Sequence, residues 1–162
     1  MNKNRLLECV RLTEEVISRF WQKDCDYMLS FMPEDAVWIG AQMEQFVCGR
    51  ENIREVLYSV KNEMKVCNIF NGEYIVAQNC GNCCTVAGRY FARVDKSEGF
   101  ILQAQQRLTF SWQLYNDKLQ ISCMHISNPI GELRVAKGES FVNTIGKNAY
   151  KYIHSEIEAV VD

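Results

Sequence analysis

Two hydrogen-bonding side chains end an apolar segment in the second half of the chain. His125 and Ser127 close the stretch ISCMHISNP, and Pro129 stops the strand that this stretch predicts. A neutral imidazole and a hydroxyl both donate and accept hydrogen bonds, so this pair could bind an anionic or a carbonyl ligand. The alternative is a histidine that only caps the end of a strand.

Cross-strand pairing predicts which other polar residue lies beside them. A two-residue turn at Asn116 and Asp117 sets a register in which Gln106 is directly opposite Ser127. Directly opposed residues share one face of a sheet. We therefore predict that Gln106, His125 and Ser127 all face the core.

The next strand and the first strand complete the predicted pocket. The DKSEG loop places Gly88 opposite Gln106 and Tyr90 on the same core face, and a glycine within a strand often marks a close approach. Trp38 is predicted to form a wall of the cavity, with an ordinary core tryptophan as the alternative. Polar groups that converge in an apolar concavity are typical of a ligand site. The predicted ligand-binding residues are Trp38, Tyr90, Gln106, His125 and Ser127.

A catalytic interpretation would depend on Glu73 and Tyr90. An isomerase or lyase needs a carboxylate that faces the cavity as general base, and a tyrosine can hydrogen-bond a developing oxyanion. Glu73 follows the turn signal of Asn71 and Gly72, where water would solvate it. We therefore expect no catalytic residue. Strict alternation also predicts that Arg107 points to the outer face, unless a local bulge turns it inward.

The segment CGNCC at 80–84 superficially resembles a zinc or redox motif. A structural zinc site needs four ligands, and the sequence has neither a second CxxC nor an HxxxH partner. A redox CxxC usually opens a helix, where the dipole lowers the thiol pKa. Here the Gly-Asn dipeptide predicts a hairpin turn with Cys80 opposite Cys83 and with Ile75 on the core face. We expect neither a metal nor a cofactor.

Helices dominate the first part of the chain. Apolar residues spaced by three and four predict a long amphipathic helix over 3–22. Asp24 is a candidate cap for a short second helix, and Gly49 precedes a third. Two short strands are expected between the second and third helices, at 36–41 and 45–48.

Strands follow the helices. Apolar residues alternate over 66–128, which predicts four strands joined by short turns. Helices first and an antiparallel sheet second indicate the α+β class. Residues 130–146 are expected to be irregular, and a C-terminal helix is predicted at about 149–161. We divide the chain into one domain at 1–129 and a C-terminal extension at 130–162.

Length and charge exclude several classes of protein. A chain of 162 residues fits one domain with its own core. Its 18 Lys and Arg nearly balance 20 Asp and Glu without a block of like charges, so we expect no direct nucleic-acid binding. No signal peptide and no apolar run of bilayer length is found. Eight scattered cysteines suit a reducing compartment, so we predict a cytoplasmic location and no membrane contact.

Several segments resemble the SnoaL-like branch of the nuclear transport factor 2-like superfamily. These segments are PEDAVWIG, GRENIREVL, and RLTFSW followed by KLQISCMHISNP, and the resemblance covers roughly residues 5–129. It implies a cone-shaped fold, in which a strongly curved antiparallel sheet wraps around three N-terminal helices and an open mouth leads to a pocket. It also implies a homodimer that forms through the sheet.

A narrower resemblance connects the chain to transcription regulation. The segments WIGAQ, NCGN, QAQQR and HISNP resemble a bacterial subgroup that precedes the DNA-binding domain of LytTR-type regulators, although no DNA-binding segment follows here. Our leading hypothesis is a non-enzymatic sensory domain that binds a small organic ligand, a carboxylate or a carbonyl compound. The alternatives are a SnoaL-like lyase or isomerase that uses the Glu73 and Tyr90 pair, and a dimerisation module.

Overall fold

The computed structural model describes residues 1–41, 45–94 and 103–128. Three helices and two short strands precede four long strands, as predicted. The elements are α1 (Lys3–Trp21), α2 (Cys25–Leu29), β1 (Val37–Ile39), β2 (Phe46–Cys48), α3 (Arg50–Lys61), β3 (Cys67–Cys80), β4 (Cys83–Val94), β5 (Gln103–Tyr115) and β6 (Lys118–Ser127). The predicted irregular segment and C-terminal helix lie outside the described residues.

The long first helix buries one face against the sheet. Asn2 caps it, because the Asn2 side-chain oxygen accepts a hydrogen bond from the backbone N–H of Arg5 at 3.0 Å. Spacing by three and four places the apolar residues on one side of the helix. The buried residues are Leu6, Cys9, Val10, Leu12, Thr13, Val16, Ile17 and Phe20. The helix packs on β3 and β4 of the sheet and on α2.

The six strands form one sheet in the order β2-β1-β6-β5-β4-β3. All pairs are antiparallel except β1 with β6, which is parallel. The sheet is curved and unclosed, and the helices pack against it. The predicted α+β cone is therefore confirmed. A sheet of this form has an inner face toward the helices and an outer face away from them.

The predicted pairing of Gln106 with Ser127 is wrong. The turn at Asn116 and Asp117 sets the expected register only as far as Trp112, which pairs with Ile121. A bulge at Ser122 then shifts the register by one residue.

That one-residue shift reverses the faces on which the side chains at the end of β6 lie. Beyond the bulge, Thr109 pairs with His125 and Arg107 pairs with Ser127. His125 and Ser127 therefore lie on the outer face, and Met124 and Ile126 take the buried positions.

A tertiary contact accompanies the bulge. The backbone N–H of Ile121 donates to the carbonyl of Phe31 at 2.8 Å, so the segment after α2 takes a group that a regular ladder would use. The Ser122 hydroxyl donates to the Ser111 carbonyl at 3.2 Å and satisfies an acceptor at the irregular point. The apolar alternation of β6 contains no signal for a contact with the segment after α2.

On β4 the predicted face is correct and the predicted partner is not. Tyr90 pairs with Gln106, whereas Gly88 pairs with Leu108, so the register differs from the prediction by two residues. A shift of two residues keeps every side chain on its face. The close approach at Gly88 comes from the protein itself, because a Cβ there would lie 2.5 Å from the Tyr74 ring.

On β3 the predicted turn is confirmed and the predicted face is wrong. Cys80 pairs with Cys83, as expected, but a register shift follows between Gln78 and Cys80. Ile75 is consequently 65% exposed, and Tyr74 is buried in its place. The extra residue is Asn79, whose side chain donates to the Thr85 hydroxyl at 2.7 Å.

Candidate functional site

A cavity of about 410 Å³ lies between the end of α1, the end of α3, β1 and the adjacent ends of β5 and β6. This size falls within the range that holds a small organic ligand. Large apolar and aromatic side chains form most of its wall. They are Phe20, Trp21, Trp38, Val60, Met64 and Ile126.

Three consecutive side-chain hydrogen bonds connect residues at the wall of this cavity. The indole N–H of Trp21 donates to the Tyr90 hydroxyl at 3.2 Å, and that hydroxyl donates to Gln106 Oε1 at 2.5 Å. Gln106 Nε2 then donates to Asn128 Oδ1 at 3.1 Å. Trp21, Gln106 and Asn128 line the cavity, while Tyr90 supports Gln106 from below.

The direction of this chain fixes the orientation of the Gln106 amide. An indole N–H can only donate, so the Tyr90 oxygen accepts from Trp21 and uses its own proton toward Gln106. The amide oxygen of Gln106 is therefore committed to Tyr90. The amide nitrogen carries two N–H groups, of which one is used by Asn128, so the second is available to a ligand.

Tyr90 remains a neutral donor in this arrangement. Its side chain is fully buried, and desolvation raises the pKa of Tyr90 well above its usual value, although the hydrogen bond from Trp21 acts in the opposite direction. A buried phenol that keeps its proton at all physiological pH values serves as a fixed donor. It therefore holds the Gln106 amide in one orientation.

Trp38 brings a second buried donor to the cavity wall. The Trp38 side chain is 1% exposed, and its indole N–H has no hydrogen-bond partner within the described part of the chain. An unsatisfied buried N–H costs about 1–3 kcal/mol. A ligand acceptor that reached this N–H would remove that cost.

The cavity is poor in charge. Glu63 is the one ionisable side chain among its described lining residues, and Glu63 is exposed. The other polar lining side chains are the amides Gln45, Gln106 and Asn128. Within the described residues, no lysine, arginine or histidine lines the wall. The site therefore combines amide and indole groups with apolar surface.

The structure brings together three of the five residues that the sequence singled out. Trp38 and Gln106 line the cavity, and Tyr90 bonds to Gln106. His125 and Ser127 do not join them, because the Ser122 bulge places both on the outer face.

Trp21 and Asn128 are cavity residues that the sequence pattern did not predict. Trp21 lies in the last turn of the first helix and Asn128 lies in the HISNP stretch. No local feature of the sequence indicates that these two segments are close in space. Their meeting at one cavity depends on how α1 crosses the curved sheet.

The candidate catalytic pair is not formed. Asn71 and Gly72 form a bulge within β3 rather than a turn, and Glu73 beyond it pairs with Arg89. The Glu73 carboxylate lies 2.6 Å from Arg89 Nη2, which places both on the outer face, whereas the adjacent Tyr90 is buried. Glu73 therefore cannot act as a base on a ligand in the cavity.

The prediction that Arg107 faces outward is confirmed. Arg107 is exposed and pairs with Arg89 on one side and Ser127 on the other, without a bulge at this part of β5.

Over residues 1–41, 45–94 and 103–128, no group of three or more His, Cys, Asp or Glu side chains could hold a metal ion. None of the helices in those ranges combines the length and apolar character needed to cross a membrane.

Comparison with known proteins finds the same fold in several solved structures. A ketosteroid isomerase-like protein from Erwinia carotovora atroseptica matches with a TM-score of 0.64 and 17% identity, over 79% of this chain and 98% of that one. An NTF2-like protein of unknown function from Pseudomonas putida matches with a TM-score of 0.63 and 15% identity, over 80% and 89%. The association domain of C. elegans CaMKII matches with a TM-score of 0.60 and 14% identity, over 78% and 97%.

These similarities establish the NTF2-like fold and nothing finer. No protein-family model matches the chain, and no curated protein matches it. Proteins with this fold include isomerase-like and association domains, so fold alone does not choose between binding, catalysis and assembly. The residues of the cavity are therefore the basis for choosing among these functions.

Proposed function

Starting from an NTF2-like fold with a charge-poor cavity, we propose that this protein binds a neutral, largely apolar small molecule that carries a hydrogen-bond acceptor, and that it does so without catalysis. The observation that carries the proposal is the Trp21–Tyr90–Gln106 chain, which holds an amide N–H at an apolar wall. A ketone, ester or amide carbonyl would accept from Gln106 and Trp38, while the aromatic wall would contact its hydrocarbon part.

The electrostatics of the cavity favour a carbonyl over a carboxylate. Burying an ionised carboxylate is costly unless a cation pairs with it, and the described wall offers none. Glu63 at the cavity would add repulsion to that cost. Of the two ligand classes that the sequence suggested, the carbonyl compound is therefore the one that we retain.

Catalysis finds little support among the cavity residues. A proton-transfer enzyme needs a positioned base with a tuned pKa. Glu63 is the one carboxylate on the described wall, and its side chain is exposed to water. The cavity therefore supports recognition better than chemistry.

The biological setting remains part of the proposal. The resemblance to the domain that precedes the DNA-binding part of bacterial LytTR-type regulators supports a sensory role in a cytoplasmic regulator. The association-domain neighbour supports assembly into a homo-oligomer, and the outer face of the sheet, with Ile75 65% exposed, is the surface that we propose for a homodimer. The molar mass of the protein in solution, measured by light scattering, tests this proposal, and a dimer should have twice the mass of one chain.

A thermal-shift screen with matched ligand pairs tests the binding proposal. Each neutral carbonyl compound, such as a cyclic ketone or an aryl methyl ketone, is paired with the carboxylate of the same hydrocarbon frame. We expect only neutral members to stabilise the protein. Ligand at about 100 times its Kd contributes ~2.7 kcal/mol, which raises the unfolding midpoint by roughly 5–10 °C for a chain of this size.

Two variants and one control connect the binding to the cavity. Trp38→Phe removes the indole N–H and keeps an aromatic wall, and Gln106→Leu removes the amide, so each should weaken a hit by about 0.5–1.5 kcal/mol, or roughly 2–12-fold. His125→Ala lies on the outer face and should leave affinity unchanged. Binding by carboxylates alone, or lost in His125→Ala and kept in Gln106→Leu, would contradict the proposal. A screen without any hit would favour a pure dimerisation module.

A further inference from the structure

The β3–β4 hairpin holds two cysteines at its turn, on the far side of the sheet from the cavity lining. Cys80 and Cys83 are directly opposed on either side of the turn at Gly81 and Asn82. Cys80 is exposed and Cys83 is partly exposed, and neither lines the cavity. The binding function described above makes no use of them.

The two thiols are close enough to form a bond. Directly opposed residues in an antiparallel pair have Cα atoms about 4.5–5.5 Å apart, and disulfides form at Cα separations of about 4.4–6.8 Å. Both thiols donate to the same acceptor, the Asn82 side-chain oxygen, at 3.4 Å from Cys80 and 3.6 Å from Cys83. They also lie within hydrogen-bonding reach of each other. The pairing and the shared contacts therefore place the two thiols within reach of a disulfide across the turn.

The turn activates one thiol and not the other. When Cys80 is a thiolate, its sulfur accepts hydrogen bonds from the backbone N–H of Asn82 and then from the Cys83 thiol, and both lower the pKa of Cys80. Burial is the main cause that raises the pKa of Cys83. A reactive pair usually gains this difference from a helix N-terminus. In this hairpin, the N–H groups of a tight turn supply part of the same stabilisation.

From this geometry we infer that Cys80 and Cys83 form a peroxide-sensitive dithiol, which hydrogen peroxide or an organic hydroperoxide converts to a disulfide across the turn. The Cys80 thiolate attacks one peroxide oxygen, the O–O bond breaks, and hydroxide or alkoxide leaves, so that Cys80 becomes a sulfenic acid. The Cys83 sulfur then attacks the Cys80 sulfur, the S–O bond breaks, and water leaves. Two thiols are oxidised, and one peroxide is reduced.

The other thiols near the hairpin cannot compete with this pair. Cys84 follows Cys83 but faces the core, where its thiol bonds to that of Cys9 on α1, and both side chains are fully buried. An oxidant in solution does not reach them. Cys48 is exposed as well, but its cross-strand neighbour is Val37, so a sulfenic acid on Cys48 has no directly opposed thiol to resolve it.

Mass spectrometry of the full chain tests the inference. The reduced protein is treated with substoichiometric hydrogen peroxide, remaining thiols are alkylated under denaturing conditions, and the tryptic peptide 66–89 is fragmented. We expect this peptide to be lighter by two hydrogen atoms because of a disulfide between Cys80 and Cys83, and we expect Cys84 to be alkylated. Treatment with dithiothreitol should reverse the change. In Cys83→Ser, dimedone should trap a sulfenic acid on Cys80; in Cys80→Ser, Cys83 should stay reduced. Cys48→Ser should behave as the parent.

Several outcomes would overturn the inference. One is oxidation of Cys48 at the same rate as Cys80; others are a dimedone adduct on Cys80 that persists in the parent protein, or a disulfide between chains in place of the hairpin bond. Circular dichroism of each variant verifies that it is folded. A ligand from the thermal-shift screen should bind the reduced and oxidised proteins equally, so failure of the binding proposal leaves this test intact.

Discussion

Adjacent residues on the same strands face two different environments in this protein. On the inner face, Tyr90 and Gln106 are buried and share a hydrogen bond of 2.5 Å. One residue away along β4, Arg89 meets Glu73 on the outer face, with side chains 37% and 27% exposed. Charge is placed where water and a partner can solvate it, and neutral amide, phenol and indole groups are placed where a ligand would displace water.

The contrast suggests why the cavity is suited to neutral ligands. A buried network of neutral groups is stable without a ligand when most of its donors have acceptors, as in the chain from Trp21 through Tyr90 and Gln106 to Asn128. The exceptions are the buried N–H of Trp38 and the second N–H of Gln106. The outer face has the Glu73–Arg89 ion pair instead, which adds little to stability because it is partly hydrated.

The largest expected effect comes from breaking the inner pair. Gln106→Leu should lower the free energy of unfolding by about 1–3 kcal/mol, because the Tyr90 hydroxyl then donates to nothing in a buried site. The double variant Tyr90→Phe with Gln106→Leu should lose less than the sum of the two single variants, because it removes both partners. Urea denaturation of the four proteins measures this coupling. Additive losses would show that the hydrogen bond contributes nothing.

The inner face also predicts a loss of stability at alkaline pH. Burial raises the folded pKa of Tyr74 and Tyr90 above the ordinary value of 10.0, so the folded protein holds protons that the unfolded chain releases. The contribution is complete below pH 10.0 and is lost as pH rises above it, by about 1.4 kcal/mol per pH unit for each group.

Tyrosine-to-phenylalanine variants separate the inner face from the outer one. Urea unfolding on both sides of pH 10.0 measures the slope, and Tyr90→Phe should reduce it. Tyr115→Phe, at a site 62% exposed, is the matched control and should not. Equal slopes in the two variants would contradict burial as the cause.

The smallest expected effect lies on the outer face. Glu73→Gln should lower stability by at most ~1 kcal/mol, since the pair with Arg89 is partly hydrated. High salt should remove the difference between the variant and the parent, because salt screens exposed charges. A loss as large as that of Gln106→Leu, or one that salt does not change, would mean that the two faces are less different than their exposure indicates.

Local features of the sequence predict the elements well. The cap at Asp24, the glycine before α3 and the turn at Asn116 and Asp117 are all where the sequence placed them, because capping and turn formation depend on residues a few positions apart. The core face of β4 was also predicted, since the β4–β5 ladder has no register shift between Cys83 and Arg93.

Facing assignments failed wherever a bulge intervened. One extra residue at Ser122 moved His125 and Ser127 outward, and one at Asn79 exposed Ile75. The strands have period two, so a one-residue change reverses every later side chain, whereas the two-residue error at Gly88 did no such damage. Half-apolar patterns such as ISCMHIS fit either face and do not reveal the bulge.

The sequence by itself determined the order of helices and strands, their caps and their turns, because those depend on short-range contacts and on the period of the apolar residues. The tertiary structure decided which side chains share the cavity. The N–H of Ile121 bonds to the carbonyl of Phe31, and this contact between distant segments accompanies the bulge that sends His125 outward. Gln106 meets Trp21 and Asn128 for the same reason: only the folded sheet brings those three segments together.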